Sequence, residues 1–406
     1  MSSEVIKSRI MSVMKNLPPL PEVTRQLMTV LGDDNASAKD VAKVLTSDPA
    51  LAGKVLKLVN SSFYGVSKEV TTISRAVVIL GFTGIRNLAL GFGSVEALKK
   101  MAGGVDMHDF WQHALITGAA CQSLVPHLKV RIDPEEAFIG GLMHDIGAYV
   151  LATAVPEVYQ SIVDDRYGDC LAREHEEFGM THAQVGQGLL QYWQLPDAFC
   201  DAARYHHDVP VATDGERPLT NLVALADVLA YVHSGTFEHG ATEAELLGLM
   251  RGLDLSLFEI KTALQAMDQK VSEMSSFMKI AGTSNGKARE EKVAEGASFV
   301  VVTTDKERRG WTNTVMEHFG FEAFPMDAYF NQAPGSASVA VVLVDAQCLT
   351  QQQITQLGPF LAGQSAQSAV LLEDGVNPPT GTEDMARLGI IFSRSEINEL
   401  VAVQPA

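Results

Sequence analysis

DPEEAFIGGLMHDIGAYVL, residues 133–151, is the stretch from which the fold is read. Asp133 before Pro134 is an N-cap followed by a proline in the first turn, and Glu135 and Glu136 put carboxylates at the positive end of the helix dipole. Phe138, Leu142, Ile146 and Tyr149 then recur at helical spacing, which predicts a single helix with His144 and Asp145 in its middle. Gly140, Gly141 and Gly147 flank the pair, where small residues let helices approach closely; they serve equally as plain packing choices in a bundle.

Working outward, further candidate ligands surround this pair. His113 lies upstream; His182, the pair His206–His207 and Asp227 lie downstream. Ten of the eleven histidines fall between His108 and His239. Spread over several helices, such residues can converge on one or two divalent ions. Neutral imidazole and carboxylate suit Zn, Fe, Mn or Ni, and two close ions can activate water against a phosphoester. A His-Asp dipeptide alone says little; the ordered set His…His-Asp…His…His-His…Asp says much more.

The first 280 residues read as nearly continuous helix. Val23, Leu27, Val30 and Leu31 form an apolar stripe between Pro21 and Gly32, and Asp48-Pro49 opens PALAGKVLKLVN, which stops near Asn60. ISRAVVIL is closed by Gly81, with Gly81 to Gly84 as an interhelical turn, and Met101 to Val105 reads as a loop. Thr181 to Gln184 fits a capping box, and Pro196 opens a helix ending at His206–His207. Asp227 sits in NLVALADVLAYV, where a carboxylate is desolvated unless a cation or donors meet it. The run Glu174, Glu176, Glu177 reads as a solvated face, with Glu176 the member placed to support His182. At the amino terminus, Val5, Ile6, Ile10, Val13 and Met14 form an amphipathic segment that either caps the bundle or joins two chains.

TSNGKAREEKVAEGA, residues 283–297, is small, polar and charged, as linkers are. Beyond it SFVVVTT, SVAVVLV, SAVLLED and LGIIFS read as strands, with helix-compatible WTNTVMEHFG and QQQITQLGPFLAG among them. Strands alternating with helices imply a small parallel α/β domain. A net charge of −18 argues against direct nucleic-acid binding or adhesion to an anionic membrane, since neutralising phosphates requires clustered Lys and Arg. No apolar run approaches the roughly 20 residues that span a bilayer, the start does not resemble a signal peptide, and four scattered cysteines suggest no disulfide framework. A cytoplasmic protein is expected.

Several of these segments resemble the HDOD family, signalling domains related to the HD metal-dependent phosphohydrolases. LPPLPEV (Leu17 to Val23), TSDPALAGKVLKLVNSSFYG (through Gly65), TISRAVVILGFTGIRNLAL, GLMHDIG, HAQVGQGLLQYWQLP and YHHD follow the family's order, over about residues 13–280. The resemblance implies a multidomain chain whose all-α HDOD part (1–280) is an HD-like helical bundle. It divides into an N-terminal helical subdomain (13–105), an HD-like subdomain (106–240) and C-terminal helices (241–280), followed by a linker (281–297). It also implies that His113, His144, Asp145 and Asp227 hold one ion and His182, His206 and His207 a second. The ligand order is similar to that of the HD-GYP cyclic-dinucleotide phosphodiesterases. This chain departs from them in having Ala148 where they have a lysine, and Asp208-Val209-Pro210 in place of their GYP loop.

Residues 298–406 resemble, more faintly, a receiver domain of two-component signalling. Asp345 stands where the phosphoacceptor would be, but Thr303-Thr304 with Asp305 replaces the acidic pair, and Glu373 and Arg394 stand near the family's Ser/Thr and Lys positions. Phosphoryl transfer to a carboxylate needs Mg²⁺ held by the missing acids, so a degenerate receiver-like interaction domain is expected. Three bland readings stand beside these: a hydrogen-bonded helix-to-helix pair at His144-Asp145, cap charges at His206–His207, and a plain strand-end residue at Asp345. The expected function is bacterial signal transduction, with the HDOD module binding a signalling protein or small ligand around a retained metal site. The alternative is a dinuclear metal-dependent phosphohydrolase acting on a cyclic dinucleotide or nucleotide. Oligomeric state is not legible.

Overall fold

The computed structural model describes residues 3–33, 35–60, 66–99, 107–163, 170–234, 243–281, 298–303, 306–318, 321–323, 341–345, 367–372 and 386–389. The expected loop at 101–105, linker at 282–297, QQQITQLGPFLAG helix and residues Thr304, Asp305, Glu373 and Arg394 lie outside them.

The chain opens with α1 (Ser3–Lys15), α2 (Glu22–Leu31), α3 (Ala38–Thr46), α4 (Pro49–Val59) and α5 (Ile73–Lys99). Local chemistry sets these limits. Ser37 and Asp40 form a reciprocal capping box at α3, and the Asp48 carboxylate accepts from the backbone N–H groups of Ala50 and Leu51 at α4. Leu27, Val41, Leu45, Val55, Val59 and Ile85 close a small core among α2 to α5. In α5, Leu88, Ala89 and Phe92 belong to that core while Leu90, Val95 and Leu98 belong to the larger one, so this helix is the wall between two bundles. Gly81 closes the first helical segment as expected, but at a one-residue kink and not across a Gly81–Gly84 turn. The backbone kinks there at φ 70°, ψ 175°, a conformation open essentially to glycine alone, and the helix resumes at once. Helix α1 buries Ile6 and Ile10 in the larger core, as a cap on this bundle does.

The larger bundle contains α6 (His108–Leu124), α7 (Pro134–Met143), α8 (Ile146–Ala154), α9 (Pro156–Val163), α10 (Cys170–Phe178), α11 (His182–Tyr192) and α12 (Asp197–Tyr205). It continues through α13 (Val209–Ala212), α14 (Pro218–Ser234), α15 (Glu243–Gly252) and α16 (Leu257–Ala281). Helix α6 is central, packed on α7, α14 and α16, while α11 lies across α8 and α12. The expected single helix over 134–151 is two helices broken at His144-Asp145, with Asp145 at φ −94°, ψ 14° as the N-cap of α8. The apolar stripe could not reveal this, because a two-residue break leaves Leu142, Ile146 and Tyr149 on one buried side.

Two helical stretches are long and apolar enough to cross a membrane by length and composition, Ile73–Lys99 and Pro134–Ala154, contrary to the sequence expectation. Their most apolar windows are 67% and 83% buried in the protein, as core helices are.

The C-terminal part carries β1 (Ser298–Val302), α17 (Lys306–His318), β2 (Glu322–Ala323), β3 (Val341–Asp345), β4 (Gln367–Leu372) and β5 (Ala386–Gly389). The strands form a parallel sheet in the order β2-β1-β3-β4-β5, a doubly wound order. Two details differ from the sequence reading. β2 was not expected, being two exposed residues without a β-branched side chain, and β5 starts ahead of LGIIFS, whose last four residues are not described. Phe299, Val301, Trp311, Val315 and Met316 join the hydrophobic core of the helical bundle. At that contact Lys261 of α16 pairs with Glu317 of α17.

Candidate metal centre

Six helices, by their ends or faces, deliver the seven candidate residues to one place. His113 projects from α6, His144 caps the end of α7, Asp145 starts α8, His182 is the first residue of α11, His206 caps α12 with His207 after it, and Asp227 lies on α14. Close backbone contact makes this convergence possible. A Cβ on Gly147 would stand 1.9 Å from the His182 carbonyl oxygen and 2.5 Å from the Gly186 nitrogen. One on Gly141 would stand 2.8 Å from the Gly118 backbone, so α8 touches α11 and α7 touches α6 main chain to main chain.

Asp145 is the centre of the cluster. Its Oδ2 lies 3.4 Å from His144 Nε2 and 3.8 Å from His113 Nε2; its Oδ1 lies 3.3 Å from both His182 Nε2 and His206 Nε2. Asp227 Oδ1 takes His113 Nε2 at 2.9 Å and lies 3.3 Å from His144 Nε2. His207 Nε2 is 3.1 Å from His182 Nε2. Tyr231 stacks on the His113 ring with centroids 4.5 Å apart.

The far ring nitrogens fix the tautomers. His144 Nδ1 donates to the Gly141 carbonyl at 2.7 Å, and His206 Nδ1 donates to the carbonyls of Ala202 and Ala203 at 3.1 and 3.0 Å. Each ring therefore caps the end of its own helix with one nitrogen and presents the other to Asp145. The cap reading and the ligand reading describe two nitrogens of the same ring. His182 Nδ1 is held by the Glu174 carboxylate at 2.9 and 3.0 Å.

Sequence reasoning missed Glu174. The acidic run is not one solvated face: Glu176 and Glu177 are exposed, and Glu174 is fully buried. Its position was legible, since Cys170, Glu174 and Phe178 at spacings of four form the buried row of α10. His175, between Glu174 and Glu176, is exposed.

Charge is finely opposed in this cluster. Burial would raise both carboxylates, but His144 holds Asp145 well below the usual range, and His113 and His144 do the same for Asp227. Burial pushes His144 down, and Asp145 with Asp227 outweighs it, leaving its pKa well above the ordinary imidazole value. Burial likewise opposes Glu174 at His182 and loses, so that imidazole is pushed up to about 9. His206 and His207 are lowered by burial, and neighbouring imidazoles add to this.

These residues fit a divalent cation. His144 Nε2, His206 Nε2 and Asp145 Oδ1 are buried without a hydrogen-bond partner. Acceptor atoms orphaned beside one another are what a cation satisfies. Three overlapping sets each place one ligand atom per residue within 4.8 Å of one another: Asp145, His182, His206 and His207; His113, His144 and Asp145; His144, His206 and Asp227.

In the C-terminal sheet, Asp345 is fully buried at the end of β3 and accepts from Thr303 Oγ1 at 2.8 Å.

Residues 17–209 match the family profile of the HDOD domain, and this part of the chain is an HDOD domain. Among solved structures, a provisionally named phosphohydrolase from Shewanella amazonensis SB2B is 26% identical, with 66% of this chain and 98% of that one covered and a TM-score of 0.53. A provisionally named signal transduction protein from Marinobacter aquaeolei VT8 is 27% identical over 69% of this chain and 66% of its own, with a TM-score of 0.51. An uncharacterized protein of Treponema pallidum (strain Nichols) is 26% identical over 239 residues, 58% of this chain. The chain spans 46% of that curated relative's length.

Proposed function

We propose that this chain is a signal-transduction protein whose HDOD domain holds one or two transition-metal ions and binds a protein partner or small ligand around them. The observation that carries the reading is the meeting of orphaned acceptors on His144, His206 and Asp145. His113, His144, Asp145 and Asp227 hold one ion; His182, His206 and His207, with the second oxygen of Asp145, hold the other. Divalent ions at these positions supply positive charge and Lewis acidity to an anionic ligand such as a nucleotide phosphate.

In this reading residues 298–406, after a linker at 281–297, are a receiver-like docking module. The strand order β2-β1-β3-β4-β5 and Asp345 at the end of β3 support it. Thr303 hydrogen-bonds the Asp345 carboxylate from a position where receivers place acids, which supports docking without phosphoryl chemistry.

The complete ligand set favours a second reading, a metal-dependent phosphohydrolase of a cyclic dinucleotide or nucleotide. Against it, Ala148 offers no phosphate contact, and α13 follows His207-Asp208 directly, leaving no loop at that point of the chain. A metal set without orienting groups supplies charge but not alignment. Full-length protein loaded with Mn²⁺ or Fe²⁺ and incubated with cyclic dinucleotides and bis(p-nitrophenyl) phosphate is expected to turn over no more than Asp145→Ala. Hydrolysis that disappears in Asp145→Ala would move the assignment to the enzyme.

A further inference from the structure

We infer that Glu174 is a positioning residue for the ion held by His182, His206 and His207, acting on one half of the centre and not on the other. The inference rests on the metal-centre reading above. Glu174 belongs to α10, which contributes no candidate ligand, and its carboxylate lies in the core at 0% exposure. A buried carboxylate persists where donors compensate it, and here they are supplied almost entirely by one residue. Oε2 accepts the His182 backbone N–H at 2.7 Å and its Nδ1–H at 2.9 Å, while Oε1 stands 3.0 Å from the same Nδ1. The Cys170 thiol donates to Oε1 at 3.6 Å.

The two bonds to His182 do different things. The backbone bond fixes where α11 begins, because His182 is its first residue and its N–H lacks a helical acceptor. The ring bond holds the proton on Nδ1 and turns Nε2 towards Asp145 Oδ1 and His207 Nε2, at 3.3 and 3.1 Å. A carboxylate behind a ligating imidazole fixes its orientation and raises its basicity. His113, in the other half, has no equivalent brace: its Nδ1 is buried without a hydrogen-bond partner among the described residues, and its ring rests on Tyr231.

The test is a Zn²⁺ titration of full-length wild type, Glu174→Gln and His113→Ala against a chromophoric chelator. Removing such a brace typically costs 10- to 100-fold in metal affinity. Glu174→Gln is expected to weaken one ion by about that factor and leave the other within about threefold, while His113→Ala weakens the ion that Glu174→Gln spares. A merely structural role would lower both affinities together. Affinities in Glu174→Gln equal to those of wild type overturn this inference and leave the metal centre standing; a wild type that takes up no zinc overturns both. Should Glu174→Gln fail to fold, long-range ¹H–¹⁵N spectra of zinc-loaded, [¹⁵N]histidine-labelled wild type decide the matter. The expected His182 signal, assigned by its loss in His182→Asn, keeps its proton on Nδ1; a proton on Nε2 overturns the inference.

Discussion

Gly147→Ala is expected to cost the protein about 3 kcal/mol and to empty the half of the centre that contains His182, since overpacking costs about 1–3 kcal/mol and rigid backbone neighbours put this site at the upper end. The added Cβ would meet the His182 carbonyl oxygen at 1.9 Å and the Gly186 nitrogen at 2.5 Å. Both are backbone atoms inside α11, so no rotamer change relieves the clash and α8 must move away from α11. Asp145 lies two residues before Gly147, and the displaced carbonyl belongs to a candidate ligand. Separation of the helices therefore pulls Asp145 Oδ1 from His182 Nε2, now 3.3 Å apart. Urea unfolding and zinc stoichiometry check this together. A Gly147→Ala protein with wild-type stability and wild-type zinc content would show that the close crossing does not position the site.

The second large effect is one of pH, with opposite signs for chelated and loaded protein. His182 is held near 9 by Glu174 and Asp145, against an ordinary imidazole value near 6.5. A group raised on folding contributes stability that is complete below its unfolded pKa and is lost as pH rises through its folded pKa. Chelated protein should therefore lose stability between pH 6.5 and 9, by up to about 3 kcal/mol from His182 alone, with His144 adding in the same direction. Loading should reverse the trend, because a cation must displace those protons and binds better once they have left. Urea midpoints at pH 6.5 and 9, with EDTA and with Zn²⁺, measure both. A chelated protein equally stable at the two pH values would contradict the charge state assigned to His182.

The helical part was largely legible because its punctuation is local. Asp48-Pro49, Asp133-Pro134 and the Thr181–Gln184 box each cap the helix expected of them. The seven clustered residues were legible by type and order, and the structure brings all of them together. What escaped was set by geometry that a period cannot encode. A break at His144-Asp145 preserves the apolar stripe, so the pair appeared mid-helix although it caps one helix and starts the next. Glu174 was hidden by its acidic neighbours, even though its buried row with Cys170 and Phe178 was present in the spacing. Gly81 announced a boundary but not that the boundary is a one-residue kink. The packing of α17 on α16 was not legible, since Lys261 and Glu317 are separated by the stretch that reads as a linker.

Whether these side chains form a working metal centre is decided by elemental analysis of full-length protein purified without chelator, beside a His144→Ala/Asp145→Ala variant. One to two transition-metal ions per wild-type chain, and none in the variant, is the predicted result. A wild type that is empty and resists loading would contradict it and leave His144 and Asp145 as a structural pair between helices.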